Sequence, residues 1–177
     1  MKSQVPKIAL VHDHLTQDGG AERVLRVLSS MYPDAPIYTL VYKPDRFDPP
    51  IPGKVRTSFL NRFPFTLFPF QWQLPLMAHA TESYDLREYD IIISSVSSIA
   101  KGVITRPDAI HLCYCHTPTR YLWTEMHDYV SRLKVPGIVK RVLPLYLSRL
   151  REWDRHAAAR VAQFIANSQT VRQRIMK

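Results

Sequence analysis

Ile8-Ala9-Leu10-Val11-His12-Asp13-His14-Leu15-Thr16-Gln17-Asp18-Gly19-Gly20-Ala21-Glu22-Arg23-Val24-Leu25 runs from four apolar residues, through a polar loop, into a helix-periodic stretch. An unbroken apolar run of this length suits a strand covered on both faces, as in a parallel sheet. Ala21, Val24, Leu25, Leu28 and Met31 then recur at the i, i+3, i+4, i+7 spacing of one helix face, and Pro33 ends the pattern. Residues 37–41 read as the next strand. Strand, loop, helix and strand in this order form a βαβ unit, which requires a parallel pair and a right-handed crossover.

The same reading extends along the chain. Residues 43–52 are a proline-rich loop, and Val55–Thr57 is a short strand. Residues 59–77 carry Phe59, Phe63, Phe65, Phe68, Phe70 and Trp72, with Pro64, Pro69 and Pro75 excluding one straight helix. Residues 90–93 are a third clear strand, and Ser94-Ser95 read as the cap of a short helix through Ala100. Residues 110–116 are a strand ending at Thr117-Pro118, and residues 120–129 are helical. Residues 138–161 form a long helix, bent or divided at Pro144, with Leu143, Leu147, Leu150, Trp153, Ala157 and Val161 on its buried side. Gln163–Ala166 is the last strand, and Asn167 and Ser168 cap a final helix carrying Val171 and Ile175. That helix reaches Lys177 with no glycine or cap, from which a fragment boundary is expected.

Size and composition set limits. A chain of 177 residues suits one domain, its 46% hydrophobic content is enough for a core, and its 22% charged content argues against disorder. No apolar run is long enough for a transmembrane helix, and Met1-Lys2-Ser3-Gln4 opens no signal-peptide core, so the expected location is the cytoplasm. Cys113 and Cys115 share one face of a strand at a spacing too wide for an easy disulfide, and read as reduced core residues. The formal net charge of +9 suits nucleic acid, an acidic ligand or an anionic membrane surface. No zinc-finger spacing, RNP-like strand or helix-turn-helix supports nucleic acid.

Two constellations carry chemistry. Residues 12–23 lie at the carboxyl end of the first strand, where open α/β sheets bind ligands. Gly19 and Gly20 let backbone N–H groups approach a ligand, and the helix N-terminus favours an anion. The pattern is neither GxGxxG nor a P-loop, and a plain turn is the alternative. The second is Cys113-Tyr114-Cys115-His116-Thr117-Pro118-Thr119-Arg120-Tyr121-Leu122-Trp123. His116, again at a strand end, can face the same crevice and donate a hydrogen bond to a hydroxyl or phosphate oxygen; the alternative is a bond to a loop carbonyl. His111, Cys113 and Cys115 alternate onto one face but splay too far for a tetrahedral ion, so no metal site is expected. Residues 59–77, with Arg56 and Arg62 beside them, read as core beneath a proline-broken helix or as a lipid-facing or acceptor-binding surface.

The runs Gly19-Gly20-Ala21-Glu22-Arg23-Val24-Leu25, Cys115-His116-Thr117-Pro118-Thr119-Arg120-Tyr121-Leu122-Trp123 and Ile165-Ala166-Asn167-Ser168 resemble the N-terminal domain of family 4 glycosyltransferases, over nearly the whole chain. The nearest resemblance is to bacterial mannosyltransferase-like members of O-antigen and exopolysaccharide synthesis. It implies a Rossmann-like three-layer α/β domain, one half of a GT-B fold, spanning residues 1–177. It also implies a retaining, nucleotide-sugar-dependent and metal-independent reaction without a cofactor. The domain would receive the glycan or lipid-linked acceptor, while a C-terminal domain absent from this chain would hold most of the donor, leaving the chain inactive alone. His116 would touch the donor sugar near the reacting carbon. Gly19, Gly20 and Ala21 would contact donor phosphate or sugar, and Arg120 a phosphate or acceptor, a structural salt bridge being its alternative. Asp13 and His14 would face the acceptor. The competing reading is a non-catalytic domain of the same fold binding an anionic ligand or membrane surface.

Overall fold

The computed structural model describes residues 5–67, 70–123, 126–133 and 135–176, without the side chains of 67, 70–72, 127 and 129. Residues 1–4, Phe68 and Lys177, and the side chains of Phe70 and Trp72, lie outside what it describes. The strands are β1 (Ile8–His12), β2 (Ile37–Thr39), β3 (Val55–Thr57), β4 (Ile91–Val96), β5 (Ile110–Cys115) and β6 (Gln163–Ala166). They form one sheet in the order β3-β2-β1-β4-β5-β6, and every pairing is parallel. The helices are α1 (Gly20–Met31), α2 (Phe70–Glu82), α3 (Arg120–Trp123), α4 (Met126–Arg132), α5 (Gly137–Ala159) and α6 (Gln169–Ile175). The chain is thus an α/β Rossmann-like domain.

Strand alternation divides the core between two faces. Leu10, Ile37 and Ile93 pack with Leu25 of α1, Leu15, Phe47 and Ile51 on one face. Ala9, Val11, Tyr38, Ile92, Val96, Cys113 and Cys115 pack on the other, with Leu86, Tyr89 and Val171 of α6. A third cluster joins Leu74 and Met77 of α2 to Leu122, Leu147 and Leu150, with Leu40, Leu60 and Ile99. The strand order reverses between β1 and β4, which opens a crevice at their carboxyl ends.

Several element limits differ from the sequence reading, each for a packing reason. Ser94 and Ser95 lie inside β4 and are fully buried, because the strand keeps register with Val11 and His12 of β1 and with Cys113 and Tyr114 of β5. They are not helix caps. Helix α5 continues through Pro144 instead of dividing there, and α2 contains Pro75. One missing N–H in a 23-residue helix is outweighed by packing on either side of it, from Leu143 to Leu150. The aromatic stretch divides in use: Phe59 and Phe65 meet edge-on at 5.4 Å against the third cluster, while Phe63 is 78% exposed. Ser168 caps α6 as read, its Oγ accepting the Val171 N–H at 3.2 Å.

Candidate active site

The crevice between β1 and β4 is lined by polar groups that converge from four elements. His12 ends β1, Ser95 lies one residue from the end of β4, His116 directly follows β5, and Glu22 sits in the first turn of α1. Alternation turns His12, Ser95 and His116 toward the face that α1 covers. Glu22 Oε2 accepts the Gly19 N–H at 2.9 Å, and Oε1 faces His12 Nε2 at 3.6 Å. His12 Nδ1 lies 3.2 Å from Ser95 Oγ, which lies 2.8 Å from His116 Nε2. An unbroken polar chain therefore links the Gly19-Gly20 turn to His116. His12, Glu22 and Ser95 are all buried, and His116 is half-buried with its ring against Tyr114 at 5.1 Å.

Ionisation follows from this packing. Burial opposes the charge on Glu22, but the bonds from His12 and the backbone outweigh it and hold the carboxyl below its ordinary value. Burial, reinforced by the neighbouring His12, lowers His116, so its imidazole is neutral at pH 7. Burial likewise lowers His14. A neutral imidazole offers one donor and one acceptor, the arrangement that recognises hydroxyl groups.

Each residue read from the sequence has a definite place. Gly19 and Ala21 flank Gly20 where α1 begins, and a Cβ at Gly20 would meet nothing within 4 Å. The first N–H groups of a helix have no intrahelical acceptor, so the turn offers donors at the same end of the sheet as His116. The Gly19 and Glu22 N–H groups are the exceptions, because the Glu22 carboxylate already takes both. Asp13 corrects the reading of an acceptor-facing loop residue. It is 3% exposed, and its carboxylate accepts four consecutive backbone N–H groups: Ser97 and Ser98 at 2.6 and 2.8 Å on Oδ2, Ile99 and Ala100 at 2.8 and 2.7 Å on Oδ1. No lone pair is left for a ligand, and Asp13 instead ties the loop after β1 to the turn after β4. His14 is half-buried beside it.

Arg120 belongs elsewhere. It lines a separate cavity of about 780 Å³ on the opposite face of the sheet, with Arg155, Arg174, Trp123, Phe164 and Cys115. In the wall of that cavity, Lys101 Nζ pairs with Asp154 at 2.5 Å, and Asp154 also accepts from Thr119 Oγ1 at 3.2 Å and Trp123 Nε1 at 2.9 Å. Cys113 and Cys115 are free and buried, with thiols pushed up to about 12 and about 11 by burial. His111 is lowered to about 4 by burial and lies 2.8 Å from Ser94 Oγ. Among the described residues no group of three or more His, Cys, Asp or Glu could hold a metal ion.

The sequence reading missed His12, Glu22 and Ser95. Glu22 had a signal: an acid three residues after a helix N-cap reaches back to the cap N–H. Ser95 had a weaker one, as a small polar residue inside an apolar strand. His12 had none beyond its strand-end position.

A family model described as Glycosyltransferase Family 4 matches residues 18–177. The chain belongs to glycosyltransferase family 4. No curated protein and no solved structure gives a significant match. The family 4 match starts at the loop before Gly19 and takes in α1, His116 and β6, so the polar crevice lies within it, apart from His12 itself. Among the described residues of this family 4 domain, no helix is long and apolar enough to cross a membrane.

Proposed function

We propose that this family 4 domain is the acceptor-side half of a retaining GT-B enzyme that transfers a hexose from a nucleotide sugar to a growing cell-surface glycan. The observation that carries the reading is the convergence of the Gly19-Gly20 turn and His116 on one crevice, joined by Glu22, His12 and Ser95. The N–H groups of Gly20 and Ala21 at the start of α1 would stabilise charge developing on the leaving diphosphate, and a neutral His116 would orient the sugar near its reacting carbon. Transfer would need no metal, because backbone donors and the helix dipole face the phosphate. The enzyme would work in the cytoplasm, at the inner face of the membrane, on a lipid-linked acceptor. The exposed Ile138, Val142 and Leu145 of α5 support that placement.

Gly20→Ala tests the reading. A Cβ there meets nothing within 4 Å, so the fold tolerates it, while a backbone that must touch a ligand does not. Glycosyl transfer by the gene's full product, measured over a panel of nucleotide hexoses, is expected to show a raised donor KM in Gly20→Ala at unchanged melting temperature. His116→Ala is expected to lose about 10²-fold or more in kcat, with turnover in EDTA intact. Turnover undiminished in both variants would refute the assignment.

A further inference from the structure

The polar chain in the crevice has a direction, set by counting protons. Glu22, ionised, has none to give, so the His12 nitrogen that faces it, Nε2, carries the proton. While His12 holds one proton, its Nδ1 is bare and takes the single hydroxyl proton of Ser95 at 3.2 Å. Ser95 Oγ then has only lone pairs for His116 Nε2 at 2.8 Å, which must be N–H. The remaining nitrogen of His116, Nδ1, has no protein hydrogen bond among the described residues.

We propose that Glu22, His12 and Ser95 are positioning residues that fix His116 as the Nε2–H tautomer, so that Nδ1 faces the crevice as a hydrogen-bond acceptor. The ligand group it receives is therefore a hydrogen-bond donor, on a plain sugar a hydroxyl, and a phosphate oxygen, which cannot donate, is turned away. On the glycosyl-transfer reading, that hydroxyl belongs to the donor sugar or the acceptor, and the diphosphate is left to the start of α1. The carboxylate of Asp13 does not compete for the ring, since four N–H groups occupy it.

The test needs no substrate. Long-range ¹H–¹⁵N correlation on the ¹⁵N-histidine-labelled 177-residue chain at about pH 8, where an ordinary imidazole carries one proton, reads the protonated nitrogen of each ring. His116→Gln assigns the signal. His116 is expected as Nε2–H. Glu22→Gln is expected to reverse it: the Gly19 N–H retains the amide oxygen, the amide NH₂ turns to His12 Nε2, His12 becomes Nδ1–H, and Ser95 donates to His116 Nε2. His116 then appears as Nδ1–H, three hydrogen bonds from the mutation. Ser95→Ala is expected to leave a mixture, and to abolish the reversal when combined with Glu22→Gln. His111, bonded to Ser94 on the opposite face, is expected unchanged and reports an intact fold. Should Glu22→Gln unfold the chain, Ser95→Ala alone decides, by the loss of the single tautomer. Nδ1–H on His116 in the unmodified chain, or a His116 signal indifferent to Ser95→Ala, would overturn the proposal. Either result leaves the glycosyl-transfer reading to stand or fall on Gly20→Ala.

Discussion

Asp13 is the residue on which the carboxyl edge of the sheet depends most directly. A carboxylate accepts about four hydrogen bonds, and Asp13 receives four from Ser97, Ser98, Ile99 and Ala100, all at 2.8 Å or less. Two loops that would otherwise leave buried N–H groups unpaired are closed by one side chain. Asp13→Asn substitutes an NH₂ for one acceptor oxygen, so two N–H groups meet a donor. With about 1–3 kcal/mol for each unsatisfied buried group, a loss of about 2–6 kcal/mol is expected. Urea unfolding checks it: the midpoint should fall at unchanged slope. A change below about 0.5 kcal/mol, the ordinary surface range, would contradict the role. Asp13 could not be read from sequence, because its partners lie 84–87 residues away and a loop aspartate is ordinarily solvated. The contact of Glu22 with His12 was hidden by the same limit, since it forms only once α1 packs across the sheet. Gly20 and His116 were legible because strand-end positions in a parallel sheet point to a crevice before any contact is known.

At the scale of elements, α5 joins the two sides of the sheet's carboxyl end. Its Asp154 pairs with Lys101, which follows β4, and holds Thr119 and Trp123 at the two ends of α3. Its Trp153 ring lies where a Cβ on Gly102 would come within 2.2 Å, which is why glycine occupies that position. Lys101 and Asp154 are both at most 7% exposed, so removing one partner strands a buried charge. Asp154→Ala is expected to destabilise the chain by about 3–5 kcal/mol. Lys101→Met in the same chain should recover much of the loss, because an apolar pair of similar volume leaves no uncompensated charge. Thermal unfolding of both single variants and the double variant measures this. A double variant no more stable than Asp154→Ala would sink the pair as the cause. The elements themselves were largely legible: Ile91, Ile92 and Ile93 could only be a covered strand, and the α1 spacing only a helix. Limits were less so, because β4 extends into Ser94 and Ser95 through its neighbours' register and α5 spans Pro144 through its packing.

For the molecule as a whole, the excess of positive charge and the outward face of α5 act together. Ile138, Val142 and Leu145 are 74%, 57% and 70% exposed, and they recur at i, i+4 and i+7. Arg141 and Arg149, both exposed, fall on the same helical face, while Leu143, Leu147, Leu150 and Asp154 turn inward. A mixed apolar and cationic stripe of this kind fits a bilayer interface, where apolar side chains enter the acyl boundary and arginines meet anionic headgroups. Each cation near an anionic surface contributes about 1 kcal/mol, so, on the proposed membrane placement, the stripe is expected to favour anionic over neutral lipid by about tenfold or more. Vesicle sedimentation with anionic and neutral bilayers measures that ratio, which should shrink as salt rises. Leu145→Glu, at a position with no packing to lose, is expected to weaken binding to both bilayers without changing the melting temperature. Arg141→Gln with Arg149→Gln should weaken only the anionic one. Equal binding to both bilayers would remove the electrostatic part of the reading, and binding to neither would remove the membrane placement from the proposed function.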